Sequence, residues 1–118
     1  MEIRRDKYLD ILIHSCGNGL IKVITGMRRC GKSYLLFTLF KNYLIKQGVK
    51  EDHIIGVNLE NRLNKSLRDP DALLHYIDSR LSSDGQYYVM LDEVQMVSEF
   101  EYVLNSFLSI SNVDVFVT

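Results

Sequence analysis

An octapeptide between Gly26 and Ser33 constrains the fold more than any other part of the sequence. It reads GMRRCGKS, so two glycines stand five positions apart and the second is followed at once by lysine and serine. The preceding LIKVIT (residues 20–25) is short, apolar and rich in β-branched residues, as a buried strand should be. Apolar residues then recur at helical spacing up to Gly48, which predicts a helix over residues 32–47. The octapeptide is therefore predicted to join a buried strand to a helix.

This octapeptide matches the pattern G-x-x-x-x-G-K-[ST], the P-loop or Walker A motif, in the context of strand and helix that the motif requires. Gly26 and Gly31 permit a concave backbone whose N–H groups bind phosphate. The helix N-terminus that follows favours the same negative charge. Lys32 is predicted to reach the β- and γ-phosphates, and the hydroxyl of Ser33 to ligate a Mg²⁺ ion that bridges them. The motif thus predicts binding of a nucleoside triphosphate.

Four further residues in or beside the motif are candidates for nucleotide binding. Arg28 and Arg29 occupy variable positions, where they either contact phosphate or stay solvated and add positive potential. Cys30 lies near a helix N-terminus and cationic groups, an environment that makes thiols reactive. Redox control and a role as a small filler are both interpretations of Cys30. Tyr34 directly follows the motif and is counted with the nucleotide-binding residues.

A second motif, YVMLDEV at residues 88–94, consists of four strand residues followed by Asp92 and Glu93. A buried strand would bring these acids to the C-terminal edge of a parallel sheet, where open α/β sheets bind their ligands. Asp92 is then expected to hold the Mg²⁺ shell, and Glu93 to orient and polarise the attacking water as a general base. Lys32 and Glu93 are accordingly the two candidate catalytic residues.

The nucleotide is predicted to be ATP rather than GTP. A glutamate directly after the aspartate is typical of hydrolysing ATPases that have an extra strand between the P-loop strand and the acid-bearing strand. The segment at residues 64–67 reads NKSL and fails the guanine-reading pattern N-K-x-D, because Leu67 stands where aspartate belongs. ATP and Mg²⁺ are therefore the predicted ligands.

Strand and helix patterns alternate along the chain, which predicts an α/β fold around a parallel sheet. Asp69-Pro70 predicts the start of one helix, and Ser98 with Glu101 predicts a capping box that opens another. One more helix is predicted before residue 20. The predicted strands are residues 20–25, 53–60, 87–91 and 113–118. The predicted buried helix positions are Tyr8, Leu9, Ile11 and Leu12; Leu73, Leu74, Ile77 and Leu81; and Phe100, Val103, Leu104, Phe107 and Leu108.

Composition and charge add a few limits. With 47% hydrophobic and 25% charged residues, the chain has the composition of an ordinary globular protein. No apolar run approaches the roughly 18 residues that span a bilayer, so we expect a cytoplasmic protein with no membrane partner. Two unpaired cysteines and three scattered histidines argue against a disulfide scaffold and a zinc site. Residues 1–50 have a charge balance of +7 and residues 51–118 one of −8, so a nucleic-acid partner for the basic half stays an alternative.

Three stretches, VITGMRRCGKSYLL, YVMLDEVQMVSEFEYVLNSFL and VDVFVT, resemble the N-terminal half of a family of bacterial and archaeal AAA-type ATPases, many of unassigned role. The resemblance covers nearly the whole chain from about Arg4, and Arg28, Arg29 and Gln95 make it more specific than the two motifs alone. It implies a three-layer P-loop NTPase fold of the ASCE type with strand order 5-1-4-3-2. It also implies ATP as the ligand and the roles already assigned to the motif residues.

Members of that family continue past the fourth strand with a polar sensor residue, a fifth strand, a helical lid and commonly a second domain. The resemblance implies that residues 1–118 are the N-terminal part of an AAA-type ATPase domain, truncated after the fourth strand. A helical segment is expected at 1–19 and the P-loop core at 20–118. Thr118 is either the sensor residue or its neighbour, and no residue is identifiable as an arginine finger.

The expected function follows from this truncation. The full-length parent is expected to hydrolyse ATP with Mg²⁺ and is a candidate homo-oligomer, whereas the 118 residues alone should bind ATP weakly and hydrolyse little. Two alternatives stay open: a switch or scaffold that binds nucleotide without hydrolysis, and a nucleic-acid-associated protein that binds ATP.

Overall fold

The computed structural model of the chain describes residues 2–17, 20–24, 29–82 and 85–118. Three residues of the predicted nucleotide-binding loop, Gly26, Met27 and Arg28, lie outside these ranges. For Arg29 and Cys30 only the backbone is described, and the same holds for Tyr8, whose predicted burial is therefore outside the described part of the chain.

Helices and strands alternate along the chain as predicted. The elements are α1 (Glu2–Ser15), β1 (Lys22–Val23), α2 (Arg29–Tyr34), a π-helical segment (Leu35–Phe40), α3 (Lys41–Lys46), β2 (Ile54–Asn58), α4 (Pro70–Asp78), β3 (Tyr87–Asp92), α5 (Phe100–Phe107) and β4 (Val113–Val117). Short 3₁₀ segments at Glu51–His53, Arg62–Arg68 and Val94–Met96 connect them.

The four strands form one parallel sheet with the order β1-β4-β3-β2. Strand β4 lies between β1, which precedes the octapeptide, and β3, which ends in Asp92. This confirms the extra strand that the sequence predicted between the P-loop strand and the acid-bearing strand. The pairing of β1 with β4 continues one residue past β1, since the N–H of Ile24 donates to the carbonyl of Val117 over 2.8 Å.

Helices cover both faces of the sheet, and successive residues of a strand enter different cores. On β3, Val89 and Leu91 pack with α4 and α5, whereas Met90 packs with α1 and the helices that follow the octapeptide. The predicted three-layer α/β architecture is confirmed. The core on the Met90 face of the sheet has five fully buried side chains: Leu35, Leu36, Phe40, Met90 and Phe116.

Two helix termini agree with the sequence. Asp69 caps α4, because its Oδ2 accepts a hydrogen bond from the N–H of Ala72 over 2.9 Å, and Pro70 is the first helical residue. Gly48 has φ 96° just after α3, and the N–H of Val49 donates back to the carbonyl of Leu44 over 3.1 Å. The helix after the octapeptide therefore ends where predicted, although its helical backbone already begins at Arg29.

The predicted capping box at Ser98 and Glu101 is wrong. The N-cap of α5 is Glu99, in the left-handed conformation with φ 55°, and no side chain hydrogen bond caps it. Ser98 lies one residue before this N-cap, and its N–H donates to the carbonyl of Arg68 over 3.1 Å. A tertiary contact with the Arg62–Arg68 segment therefore overrides the local capping signal.

Two predicted core positions are exposed. Leu108 is 53% exposed because α5 ends at Phe107, one residue before it. Ile11 is 56% exposed, whereas its neighbour Leu12 is buried against the sheet.

The strand bounds also differ from the prediction, since β1 and β2 are shorter than the apolar runs that indicated them.

A buried ion pair joins β1 to β4 at the end of the sheet opposite Asp92. Lys22 Nζ pairs with Asp114 Oδ1, and the N–H of Gly17, just after α1, donates to Asp114 Oδ2 over 2.8 Å.

Burial raises the pKa of the nearby Cys16 thiol, and the charge of Asp114 adds to the effect. Burial also raises the pKa of Tyr88, with a further contribution from Cys16.

Candidate functional site

The candidate site lies at the edge of the sheet where β2, β3 and β4 end. Asp92 is the last residue of β3 and is 2% exposed. Its backbone carbonyl accepts a hydrogen bond from the N–H of Leu59 over 3.0 Å, which continues the pairing between β2 and β3. The parallel register therefore holds the Asp92 backbone in place from the β2 side.

A hydrogen bond joins the two sequence motifs at this edge. The hydroxyl of Ser33, on α2, donates to Oδ2 of Asp92, 59 positions later in the chain. Gly31 is buried in the same helix, Lys32 and Ser33 are half-buried, and Tyr34 is 42% exposed. The structure thus brings together Ser33 and Asp92, the two residues predicted to contribute to Mg²⁺ binding.

Thr118 lies directly beside both acids of the second motif. Its hydroxyl donates to Asp92 Oδ1 over 2.5 Å and accepts a hydrogen bond from the N–H of Glu93 over 3.0 Å. Its backbone N–H donates to the carbonyl of Leu91, and its carbonyl accepts from the N–H of Val94. The sequence left the role of Thr118 undecided. The sequence signal that could have indicated this position is a hydroxyl-bearing residue directly after the fourth apolar strand.

The surroundings of Asp92 fit a hard divalent cation. Both carboxylate oxygens accept hydrogen bonds from hydroxyl groups, one from Ser33 and one from Thr118. Buried carboxylates need hydrogen-bond partners, and buried charges are generally paired or coordinate a metal ion. Carboxylate and hydroxyl oxygens are the donor types that Mg²⁺ prefers. The donor set of Ser33 and Asp92 is therefore compatible with the predicted Mg²⁺.

Glu93 has an unusual backbone conformation at the point where the chain leaves the sheet. Its φ of 58° and ψ of 50° lie in the left-handed region, which costs a residue with a side chain about 1–2 kcal/mol. The hydrogen bond to Thr118 fixes its N–H, and its side-chain Oε1 accepts a hydrogen bond from Gln95 Nε2 over 2.5 Å. Asp92 is buried while Glu93 is half-buried, so the two adjacent carboxylates have different environments.

Comparison with known families agrees with this arrangement. Residues 18–118 match the family model of the AAA domain. The chain belongs to the AAA domain family. An uncharacterised protein of Haemophilus influenzae is 32% identical to it over 117 residues, which cover 98% of this chain and 29% of the relative. The AAA domain described here thus spans less than a third of that relative's length, and no solved structure matches the chain.

Membership of the AAA family indicates nucleotide binding, in agreement with the octapeptide, and is consistent with ATPase activity. The roles of individual residues in this AAA domain stay predictions. In the parts of the chain that the structure describes, no helix has the length and apolarity that crossing a bilayer requires.

Proposed function

We propose that this AAA domain binds Mg-ATP at the edge formed by α2, β3 and β4, and that the full-length protein hydrolyses it. The observation that supports this most strongly is the hydrogen bond from Ser33 to Asp92. It places the hydroxyl of the phosphate-binding motif against the buried acid of the second motif, on neighbouring elements of a parallel α/β sheet. Open sheets of this kind bind ligands at the same edge.

The phosphates would be bound by the backbone N–H groups of the octapeptide and by Lys32. Ser33 and Asp92 would hold the metal ion. When bound, Mg²⁺ neutralises charge on the β- and γ-phosphate oxygens. The location proposed with this function is the cytoplasm, whose reducing conditions are compatible with the free thiol of Cys16.

Glu93 is the proposed general base. A water oxygen attacks the γ-phosphorus, the bond to the leaving ADP oxygen breaks, and the Glu93 carboxylate accepts the proton that the water releases. Thr118 is the proposed polar sensor residue. Its hydroxyl contacts Asp92 and fixes the backbone of Glu93, so it couples the positions of the metal-binding and the proton-accepting side chains.

The test combines thermal unfolding with an ATPase assay on the full-length protein. Mg-ATP should raise the unfolding temperature, since a ligand at 100 times its Kd stabilises the native state by about 2.7 kcal/mol. Lys32→Ala should abolish the rise, whereas Lys46→Ala, an exposed lysine on α3, should leave it intact. A cooperatively folded protein with no rise in Mg-ATP would contradict the proposal.

A second variant separates binding from hydrolysis. Glu93→Gln should keep the Mg-ATP-dependent rise and lose turnover by about 10²–10⁴-fold, because a general base contributes that much to catalysis. Equal turnover in wild type and Glu93→Gln would contradict the role of Glu93. A wild-type protein that binds Mg-ATP without turnover would contradict hydrolysis and favour a nucleotide-dependent switch.

A further inference from the structure

We propose that Gln95 is a positioning residue for the general base Glu93; this inference rests on the proposed function. The side-chain amide of Gln95 donates from Nε2 to Oε1 of Glu93 over 2.5 Å. Neither the octapeptide nor the acid pair includes Gln95. The contact nevertheless lies on the carboxylate that is proposed to accept the proton from the attacking water.

The turn that contains both residues is fixed at several points. The N–H of Met96 donates to the carbonyl of Glu93, and the N–H of Val97 donates to the carbonyl of Val94, each over 3.0 Å. Val94 and Val97 are 6% and 2% exposed, so they anchor the turn in the core. Gln95 therefore starts from a backbone position that is fixed relative to Glu93.

The hydrogen bond from Gln95 restricts the rotamers available to the Glu93 side chain. Ordering a glutamate side chain costs rotamer entropy, because glutamate is among the side chains with the most rotamer freedom. A general base must lie within about 2.6–3.2 Å of the group that loses the proton, and a displacement of about 1 Å can cost 10²-fold in rate. Because Gln95 holds the Glu93 carboxylate before the nucleotide binds, less rotamer entropy is lost when the carboxylate is positioned for catalysis.

Glutamine suits this task because its amide donates a hydrogen bond while staying neutral. A lysine in its place would add a positive charge beside the base, and a glutamate would add a like charge. Both residues lie on one short turn, so the contact does not depend on a second element moving towards Glu93. The arrangement is therefore a fixed support of the base rather than a switch.

The test compares two variants of the full-length protein that match glutamine in length. Gln95→Met removes the donor, and Gln95→Glu replaces it with a repelling carboxylate. We expect kcat to fall about 10-fold in Gln95→Met and further in Gln95→Glu, with the KM and Kd for Mg-ATP unchanged. Gln47→Met, at the exposed end of α3, is the matched control and should retain full kcat.

A double variant tests whether Gln95 acts through Glu93. In a Glu93→Gln background, adding Gln95→Met should leave the residual rate unchanged, because residues that act as one unit are not additive. A further 10-fold loss in this background would overturn the inference. A Gln95→Met protein with wild-type kcat would also overturn it, while leaving the proposed function intact.

A measurement without turnover tests the contact itself. The side-chain amide signals of Gln95, identified by their loss in Gln95→Met, should shift in the NMR spectrum of Glu93→Ala. Unshifted signals would overturn the inference. If the wild-type protein binds Mg-ATP but does not hydrolyse it, this result contradicts the proposed hydrolysis. It then also contradicts the positioning role of Gln95, and it is distinguished from a failure of Gln95 alone because no variant is involved.

Discussion

The hydroxyl of Thr118 donates a hydrogen bond to Oδ1 of Asp92 over 2.5 Å, although 26 positions separate the two residues. Strand register explains the contact. Val117 at the end of β4 pairs with Leu91 on β3, so the next residue of each strand reaches the same edge of the sheet. The position of the Thr118 hydroxyl is therefore set by the parallel pairing of β3 and β4 and not by any local motif.

Removing this hydroxyl should reduce the stability of the domain. Thr118→Val keeps the shape of the side chain but removes the acceptor for the N–H of Glu93 and one donor to Asp92. An unpaired buried polar group costs about 1–3 kcal/mol, and Asp92 is the buried residue of the two, so we expect a loss of about that size in the free energy of unfolding. Thr118→Ser keeps the hydroxyl and should lose less. Urea denaturation of the two variants checks this, and equal losses would contradict the role of the hydroxyl.

The site could be predicted from the sequence where a motif defines the chemistry. The glycines, lysine and serine of the octapeptide and the acid pair have fixed spacing, and the buried strands could be identified from apolar runs. Their meeting at one edge follows from a parallel sheet. The two motifs therefore led us to expect Ser33 and Asp92 close together, whereas their direct hydrogen bond was not predicted.

The remaining features depend on contacts between distant parts of the chain. Ser98 has a good local capping pattern, yet the N-cap is Glu99, and the N–H of Ser98 instead bonds to the carbonyl of Arg68. Lys22 stands inside an apolar run, and nothing near it in the sequence indicates a partner 92 positions away at Asp114. Local patterns report propensity, whereas these outcomes are decided by tertiary packing.

Breaking the buried pair should destabilise the domain strongly. Asp114→Asn keeps an acceptor for the N–H of Gly17 but leaves the Lys22 ammonium buried without a counter-charge. Such a change costs about 3–5 kcal/mol. Asp78→Asn, at an exposed position of α4, is the control and should change the free energy of unfolding by less than about 0.5 kcal/mol. Urea denaturation gives both values, and similar losses in the two variants would contradict the importance of the buried pair.

Stability should fall at alkaline pH because of two acids beside this pair. The pKa values of Cys16 and Tyr88 are raised from 9.0 and 10.0 in the folded state, mainly by burial. The stability that these two protonated groups contribute is fully present below their ordinary pKa values. As the pH rises from the ordinary towards the raised pKa values, the unfolded chain holds fewer protons than the folded chain, so this stability is lost. The free energy of unfolding should therefore decline with increasing pH above about 9.

Two substitutions identify the source of this decline. Cys16→Ala and Tyr88→Phe each remove one titrating group, so each should reduce the slope of the free energy of unfolding between neutral and alkaline pH. Leu63→Ala, at an exposed position of the Arg62–Arg68 segment, removes no titrating group and should leave the slope at its wild-type value. Unchanged slopes in both test variants would show that other groups cause the alkaline loss.

Gly48 should be required for its backbone conformation alone. Its φ of 96° is one that L side chains rarely adopt, and a Cβ at this position would have no atom within 4 Å. Gly48→Ala should therefore lower the free energy of unfolding by about 1–2 kcal/mol through backbone strain without a steric clash. Gly48→Asn should lose less, because asparagine tolerates positive φ better than alanine does. Urea denaturation of the pair checks the order. An alanine variant as stable as the wild type would show that the chain after α3 adopts another conformation at no cost.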